Sequence, residues 1–414
     1  MEKRMNTPTL RFPEFNGNWE VKKLSDVAEF KAGYAFKSEE MLSEKSNYQL
    51  LKMSNVYQSE LRLDRNPSYW DNIDKKQQEF LLKNGDSILT LTGTVGKRDY
   101  GYSVMIKEDN KYLLNQRLVL LRQKKGISVN EFINQILLNE RFLYYFFAEA
   151  KGGTGNQTNV STDDVKNIKL SFPTLPEQTK IATFLTAVDE KLQALKQKKT
   201  LLEQYKKGVM QQLFSQELRF KDDNGNDFAD WEEKKLGELL IKNSKKNKNQ
   251  EFKLVQSVSN KRGFVNQDEY FEDRVVASKD LSNYYVIQKG DFAYNPSRID
   301  VGSLAYKFDN ETSVISPLYI SFKANKDYLN DAFLLEWFST QQFTRQMNSS
   351  FEGSVRNTLS YESLRKIEMF YPCNEEQTKI ASFLSAIDNK ISHCQEQIAN
   401  TEVWKKGLLQ GMFC

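Results

Sequence analysis

The chain has 414 residues, 28% charged and 39% hydrophobic, with 27 Phe and 19 Tyr. That length allows two or three domains, each with its own core, and the composition excludes a disordered chain. The formal charge of +4 permits a nucleic-acid partner without arguing for one, and the single histidine, His393, excludes histidine-based metal sites and relays.

Along the chain, MEKRMNTPTL lacks the apolar stretch of a secretory leader, and no apolar run reaches 18 residues. Three cysteines, Cys373, Cys394 and Cys414, make no disulfide framework. The expectation is a cytoplasmic chain without membrane segments or bound metal. Short apolar strands are predicted at 86–91 (DSILTL), 117–121 (RLVLL), 275–279 (VVASK), 291–295 (DFAYN) and 318–322 (LYISF). Helical patterns at 131–150 and 327–347 carry aromatic stripes read as core: Phe142, Tyr145 and Phe146, then Phe333, Trp337 and Phe343. Each leads into a polar loop, 152–161 or 352–360.

An internal repeat organises these elements. Residues 177–189 read EQTKIATFLTAVD and residues 376–388 read EQTKIASFLSAID, with ten of thirteen identical at an offset of 199. Looser anchors extend the repeat: LRF at 10–12 and 218–220, Trp19 and Trp231 before KKL, Gly85-Asp86 and Gly290-Asp291. From Ile181 every fourth and third residue gives a heptad seam through Leu185, Val188, Leu192, Leu195, Lys199, Leu202, Lys206, Val209 and Leu213. The second copy gives Ile380, Leu384, Ile387, Ile391, Cys394, Ile398, Thr401, Lys405, Leu408 and Met412. A long amphipathic helix needs a partner, and the simplest partner for each copy is the other, antiparallel to it.

The expected fold is mixed α/β. Two globular domains, 15–175 and 216–372, are separated by spacer helices 176–215 and 373–414, a tandem repeat with pseudo-twofold symmetry. Copies that keep one segment nearly identical while the rest diverges point to one partner engaged twice and two different targets.

Catalytic motifs do not carry through. Gly93-Thr94-Val95-Gly96-Lys97 fails as a phosphate loop because Leu91 stands where the first glycine belongs. Asn295-Pro296-Ser297-Arg298 is half of an amino-methyltransferase motif without its glycine-rich companion. Arginine reads guanine and Asn or Gln reads adenine, so Lys97, Arg98, Gln157 and Asn159, with Arg298, Arg356 and Asn357, are the candidate DNA contacts. The Lys-rich run 242–250 is read as a mobile loop touching phosphates. Gln178, Lys180, Gln377 and Lys379 are candidates for the helix junction and for partner contacts.

The LPEQTKIATFLTAVDEKL and NEEQTKIASFLSAIDNKI segments, the WEVKKLSDV and WEEKKLGEL openings and YNPSRIDVGSLAYKF resemble the specificity subunit (S subunit, HsdS) of type I restriction-modification systems. The resemblance covers essentially the whole chain. It implies a non-catalytic subunit whose two target recognition domains each read half of a bipartite, asymmetric site in double-stranded DNA. It also implies helices that set the gap and hold two methyltransferase subunits, through which restriction subunits join. S-adenosylmethionine, Mg and ATP would belong to those partners, with no cofactor in this chain. The alternative is a scaffold that binds no DNA and presents two divergent modules on a coiled-coil rod.

Overall fold

The computed structural model describes residues 7–152, 156–260, 262–267, 280–352 and 357–414. The strand expected at 275–279 and the candidate Arg356 lie outside them. The chain divides into two compact units, residues 1–197 with 395–414, and residues 198–394. Two long helices, Leu175–Phe214 and Asn374–Met412, each contribute to both units. No helix among the described residues is long and apolar enough to cross a membrane.

Both units are built on the same sheets. In the first, Ala28–Ala32, Leu118–Gln123, Ser87–Thr90 and Ser103–Met105 form an antiparallel sheet in that order. In the second, Leu240–Lys242, Ile320–Ala324, Phe292–Tyr294 and Leu304–Tyr306 do the same. A further sheet pairs Tyr48–Leu51 parallel to Tyr112–Leu114 and antiparallel to Tyr69–Trp70. Its counterpart pairs Val255–Ser259 parallel to Ser313–Ile315 and antiparallel to Gly263–Asn266. The strand at 87–90 is buried along its whole length, as a short apolar run requires.

The retained Gly-Asp anchors are turns. Gly85 (φ +89°) and Gly290 (φ +94°) stand in the left-handed region. The following carboxylates accept bonds from Lys83 N (2.8 Å) and Gln288 N (2.6 Å).

Two expectations are corrected here. Each aromatic helical pattern is two helices: Asn130–Leu137 with Glu140–Ala148, and Asp331–Trp337 with Gln341–Ser349. Asn139 and Thr340 restart the helix by accepting bonds from Arg141 N (2.8 Å) and Phe343 N (3.2 Å). In the restarted first helix Phe142 and Phe146 face the core one turn apart, which leaves Tyr145 outward and 42% exposed.

All twenty seam positions are buried or half-buried. The helix starts also floor the globular cores. Ile181, Leu185 and Val188 share one with Trp19, Phe132, Phe172 and Leu408, and Ile380, Leu384 and Ile387 share another with Leu213, Trp231 and Trp337. In the first unit the helices run antiparallel, as Asp189 with Lys405 and Lys196 with Glu402 require. Two of the three lysines on the seam meet an acidic residue of the other helix, and Lys199 pairs with Glu203 on its own helix (2.8 Å). Lys405 meets Asp189 at 2.6 Å and Lys206 meets Asp388 at 2.7 Å, equivalent pairs at the repeat offset.

The surroundings of these pairs differ. Asp189 also accepts from the neutral Gln135 (2.8 Å), whereas Lys206 also holds Glu336 (2.9 Å). Burial keeps the Glu336 carboxyl above its ordinary range despite Lys206. A carboxyl raised in this way binds its proton more tightly when folded. Its contribution to stability therefore grows as pH falls through the raised value and is complete below about 4.3. Lys206→Met, which strands the buried Glu336 while Asp388 still reaches water, is expected to destabilise the second unit by about 3 kcal/mol at neutral pH and to recover in mild acid. Lys405→Met, beside a neutral glutamine, is expected to cost less and recover less, as thermal unfolding across pH would show.

Candidate nucleic-acid interface

In the first unit the strand Ser87–Thr90 runs on into Thr92–Thr94 and an exposed turn, Val95–Asp99. Asp99 anchors the turn, accepting from Thr94 N (2.8 Å) and Thr94 Oγ1 (2.7 Å), and these bonds hold its carboxyl below the usual range. Lys97 N closes it on Thr94 O (3.0 Å). The segment expected as a polar loop is in part a strand. Gln157–Asn159 pairs with Thr92–Thr94 on one side and Lys151–Gly152 on the other. Period-two alternation buries Thr158 and exposes Gln157 and Asn159. Lys97, Arg98, Gln157 and Asn159, widely separated in sequence, therefore stand on one small sheet and its turn. Arg98 lies 4.9 Å from the Phe147 ring and 3.9 Å from Glu140. The Asn159 amide oxygen accepts from Thr92 Oγ1 (2.9 Å), which fixes its orientation.

The second unit assembles the corresponding place with different residues. The strand Phe292–Tyr294 leads into an exposed loop with Arg298. Leu359 N donates to Pro296 O (3.0 Å), just as Val160 N donates to Leu91 O (2.9 Å) in the first unit. Ser297 Oγ lies 3.4 Å from Thr358 Oγ1. Arg298 and Asn357, both exposed, thus belong to adjoining segments. The two loops differ in length, since Gly101 N returns to Thr90 O in one and Ser303 is met by Asn295 N in the other.

The lysine run 242–250 is bonded to its surroundings through its asparagines. Asn243 Nδ2 donates to Val286 O (2.9 Å), and the buried Asn247 exchanges two bonds with the Phe252 backbone. Asparagine side chains thus lace the run to the sheet while Lys245, Lys246 and Lys248 stay exposed.

At the helix junctions Gln178 and Gln377 are internal struts, not docking contacts. They are 2% and 0% exposed and donate to Pro173 O (3.1 Å) and Pro372 O (2.8 Å) at the strand-to-helix turn. Lys180 and Lys379 reach Glu14 (3.4 Å) and Asp223 (2.7 Å).

The residues beside them were not singled out from sequence. Glu177 and Glu376, 1% and 0% exposed, are gripped by Arg11 and Arg219 and by the indoles of Trp19 and Trp231. The recurrence of LRF and tryptophan ahead of each glutamate was the available signal. Each carboxylate stands in the first turn of a long helix, where the helix dipole favours it.

The family model described as type I restriction modification DNA specificity domain matches residues 16–204 and again 229–401. The MjaVIII type I restriction enzyme specificity subunit of Methanocaldococcus jannaschii is 26% identical over 221 residues, 51% of this chain and about half (49%) of that protein. The MjaX specificity subunit of the same organism is 23% identical over 430 residues, covering 98% of this chain and 95% of its own. The S subunit of the type I restriction-modification system from M. genitalium shares the fold, with a TM-score of 0.62 at 16% identity over 99% of both chains.

Proposed function

The chain belongs to the type I restriction modification DNA specificity family, and from that premise we propose that it is the sequence-reading subunit of a DNA adenine methyltransferase and endonuclease complex. Domains 15–175 and 216–372 each read one half of a bipartite, asymmetric DNA site. The spacer helices 176–215 and 373–414 set the gap and hold two methyltransferase subunits, through which restriction subunits join. The chain performs no catalysis, and S-adenosylmethionine, Mg and ATP act in the partner subunits, in the cytoplasm.

One observation carries the reading: a common framework with divergent tips. The sheets, the Gly-Asp turns and the glutamate clasps recur, while the exposed segments hold Lys97, Arg98, Gln157 and Asn159 in one unit and Arg298 and Asn357 in the other. Base edges in the major groove are read by such donor-bearing side chains, and a change of side chain changes the base chosen.

The test is adenine-methylation mapping of a host genome with and without this chain, its methyltransferase subunit being co-expressed. The expected result is a new two-part motif with an N6-methyladenine in each half. A folded, bound methyltransferase that yields no new motif would sink the proposal.

A further inference from the structure

We propose that a third element of the first unit reads DNA: the tip of the hairpin between Tyr48–Leu51 and Tyr69–Trp70, with Arg65 as its base-contacting side chain. The proposal rests on the DNA-recognition reading above and adds a segment that no motif marked.

The tip is built to hold its arginines still. Asn55 is 0% exposed, and its amide donates to Arg62 O (3.0 Å) and Arg65 O (2.8 Å). Its side-chain oxygen accepts from Lys52 N (2.9 Å), and its backbone oxygen from Arg62 N (2.7 Å). A buried amide whose bonds all end on a surface turn fixes that turn's backbone.

The tip also adjoins the candidate interface. The Arg65 guanidinium lies 4.3 Å from the centre of the Tyr57 ring. Tyr57 packs edge-on against Tyr102 at 5.7 Å. The Tyr102 hydroxyl donates to Arg98 O (3.2 Å). Two rings therefore join Arg65 to the turn that carries Lys97 and Arg98.

The two tip arginines differ in what they have left to offer. Arg62 forms an ion pair with Glu60. Arg65 is exposed and pairs with no carboxylate among the described residues. A guanidinium laid on an aromatic face has already given up much of its rotamer freedom, and its planar fork matches the O6 and N7 acceptors of guanine. The second unit repeats the placement on unrelated sequence. In the hairpin Val255–Ser259 and Gly263–Asn266, Asn260 at the tip lies against Gly302 of the Arg298 loop, and Arg262 beside it is exposed.

The test compares the full chain with its Arg65→Ala and Arg65→Lys variants, each co-expressed with the methyltransferase subunit. Methylation mapping is combined with binding to a duplex carrying the mapped motif and to a scrambled duplex. Both variants are expected to relax one base position in a single half of the motif and to bind the motif duplex roughly tenfold more weakly. Lysine does not rescue, because it cannot make the two-pronged contact. Thermal midpoints should stay unchanged, since Asn55 is untouched. Equal weakening on both duplexes with an intact motif would make Arg65 a phosphate contact and overturn the proposal. Unchanged motif and affinity would overturn it too. No motif from the unaltered chain would instead overturn the recognition reading, and this proposal with it.

Discussion

Arg219→Met is expected to destabilise the second unit by about 3 kcal/mol, the lower end of the cost of breaking a buried ion pair. Glu376 is fully buried, and its two oxygens accept from Arg219 Nε (3.1 Å), Arg219 Nη2 (2.8 Å) and the Trp231 indole (3.3 Å). Methionine keeps the length of the side chain and removes every guanidinium donor, so the carboxylate retains one neutral bond. Arg219 is 23% exposed, which lets water reach part of the site and sets the cost at that lower end. The same guanidinium ties down Phe228 O and Ala229 O, so the approach to Trp231 loosens with it. Adding Glu376→Gln should restore most of the loss, because glutamine still accepts from Trp231 and leaves no charge behind. Arg219→Lys should fall between, because one ammonium cannot fork across two oxygens. Calorimetric unfolding of the full chain checks the order. A double variant no more stable than Arg219→Met would show that the stranded charge is not the cause. Arg11→Met should act in the same direction on the first unit, through Glu177.

What was legible in the sequence was what local spacing encodes. The 199-residue offset exposed the repeat, and the step of four and three, at 181–213 and 380–412, runs inside both long helices. Four of the five expected strands, at 87–90, 118–123, 292–294 and 320–324, followed from short apolar runs. The rest depends on long-range pairing that spacing does not carry. Gln178 and Gln377 look like surface residues of a charged helix start, yet both are buried because each satisfies a proline carbonyl at the incoming turn. Gln157 and Asn159 were chosen as loop residues and are strand residues, because the strand they pair with lies more than sixty positions away. The asparagines of the lysine run bond to Val286 and Phe252 backbone, partners that composition does not reveal. Arg65 carries no local signal: its tyrosine platform and the buried Asn55 matter only once the hairpin closes.

Exchanging residues 15–175 for the corresponding module of another family member should change one half of the recognised site and leave the other half intact. The physical ground is the socket that stays behind. Residues 15–175 pack onto Ile181, Leu185, Val188, Leu408 and Met412, and their Trp19 meets Glu177, which Arg11 also grips. The second unit presents Ile380, Leu384, Ile387, Leu213 and Glu376 to its own module, with Trp231 and Arg219 in the matching roles. Two modules with different tips already sit on nearly the same socket, so a third that keeps the tryptophan should sit there as well. The exposed segments at 92–99 and 157–159 leave with the exchanged module, and the Arg298 loop and Asn357 remain. Methylation mapping should therefore show one new half-motif beside one unchanged half. Both halves changing would mean that recognition is shared between the units. Neither changing, with the exchanged chain folded and bound to its methyltransferase, would mean that the tips do not read bases. A stricter version separates socket from specificity. Grafting only residues 92–99 and 157–159 into the original module should shift the first half-motif partially, because the Arg65 hairpin would still read its own base.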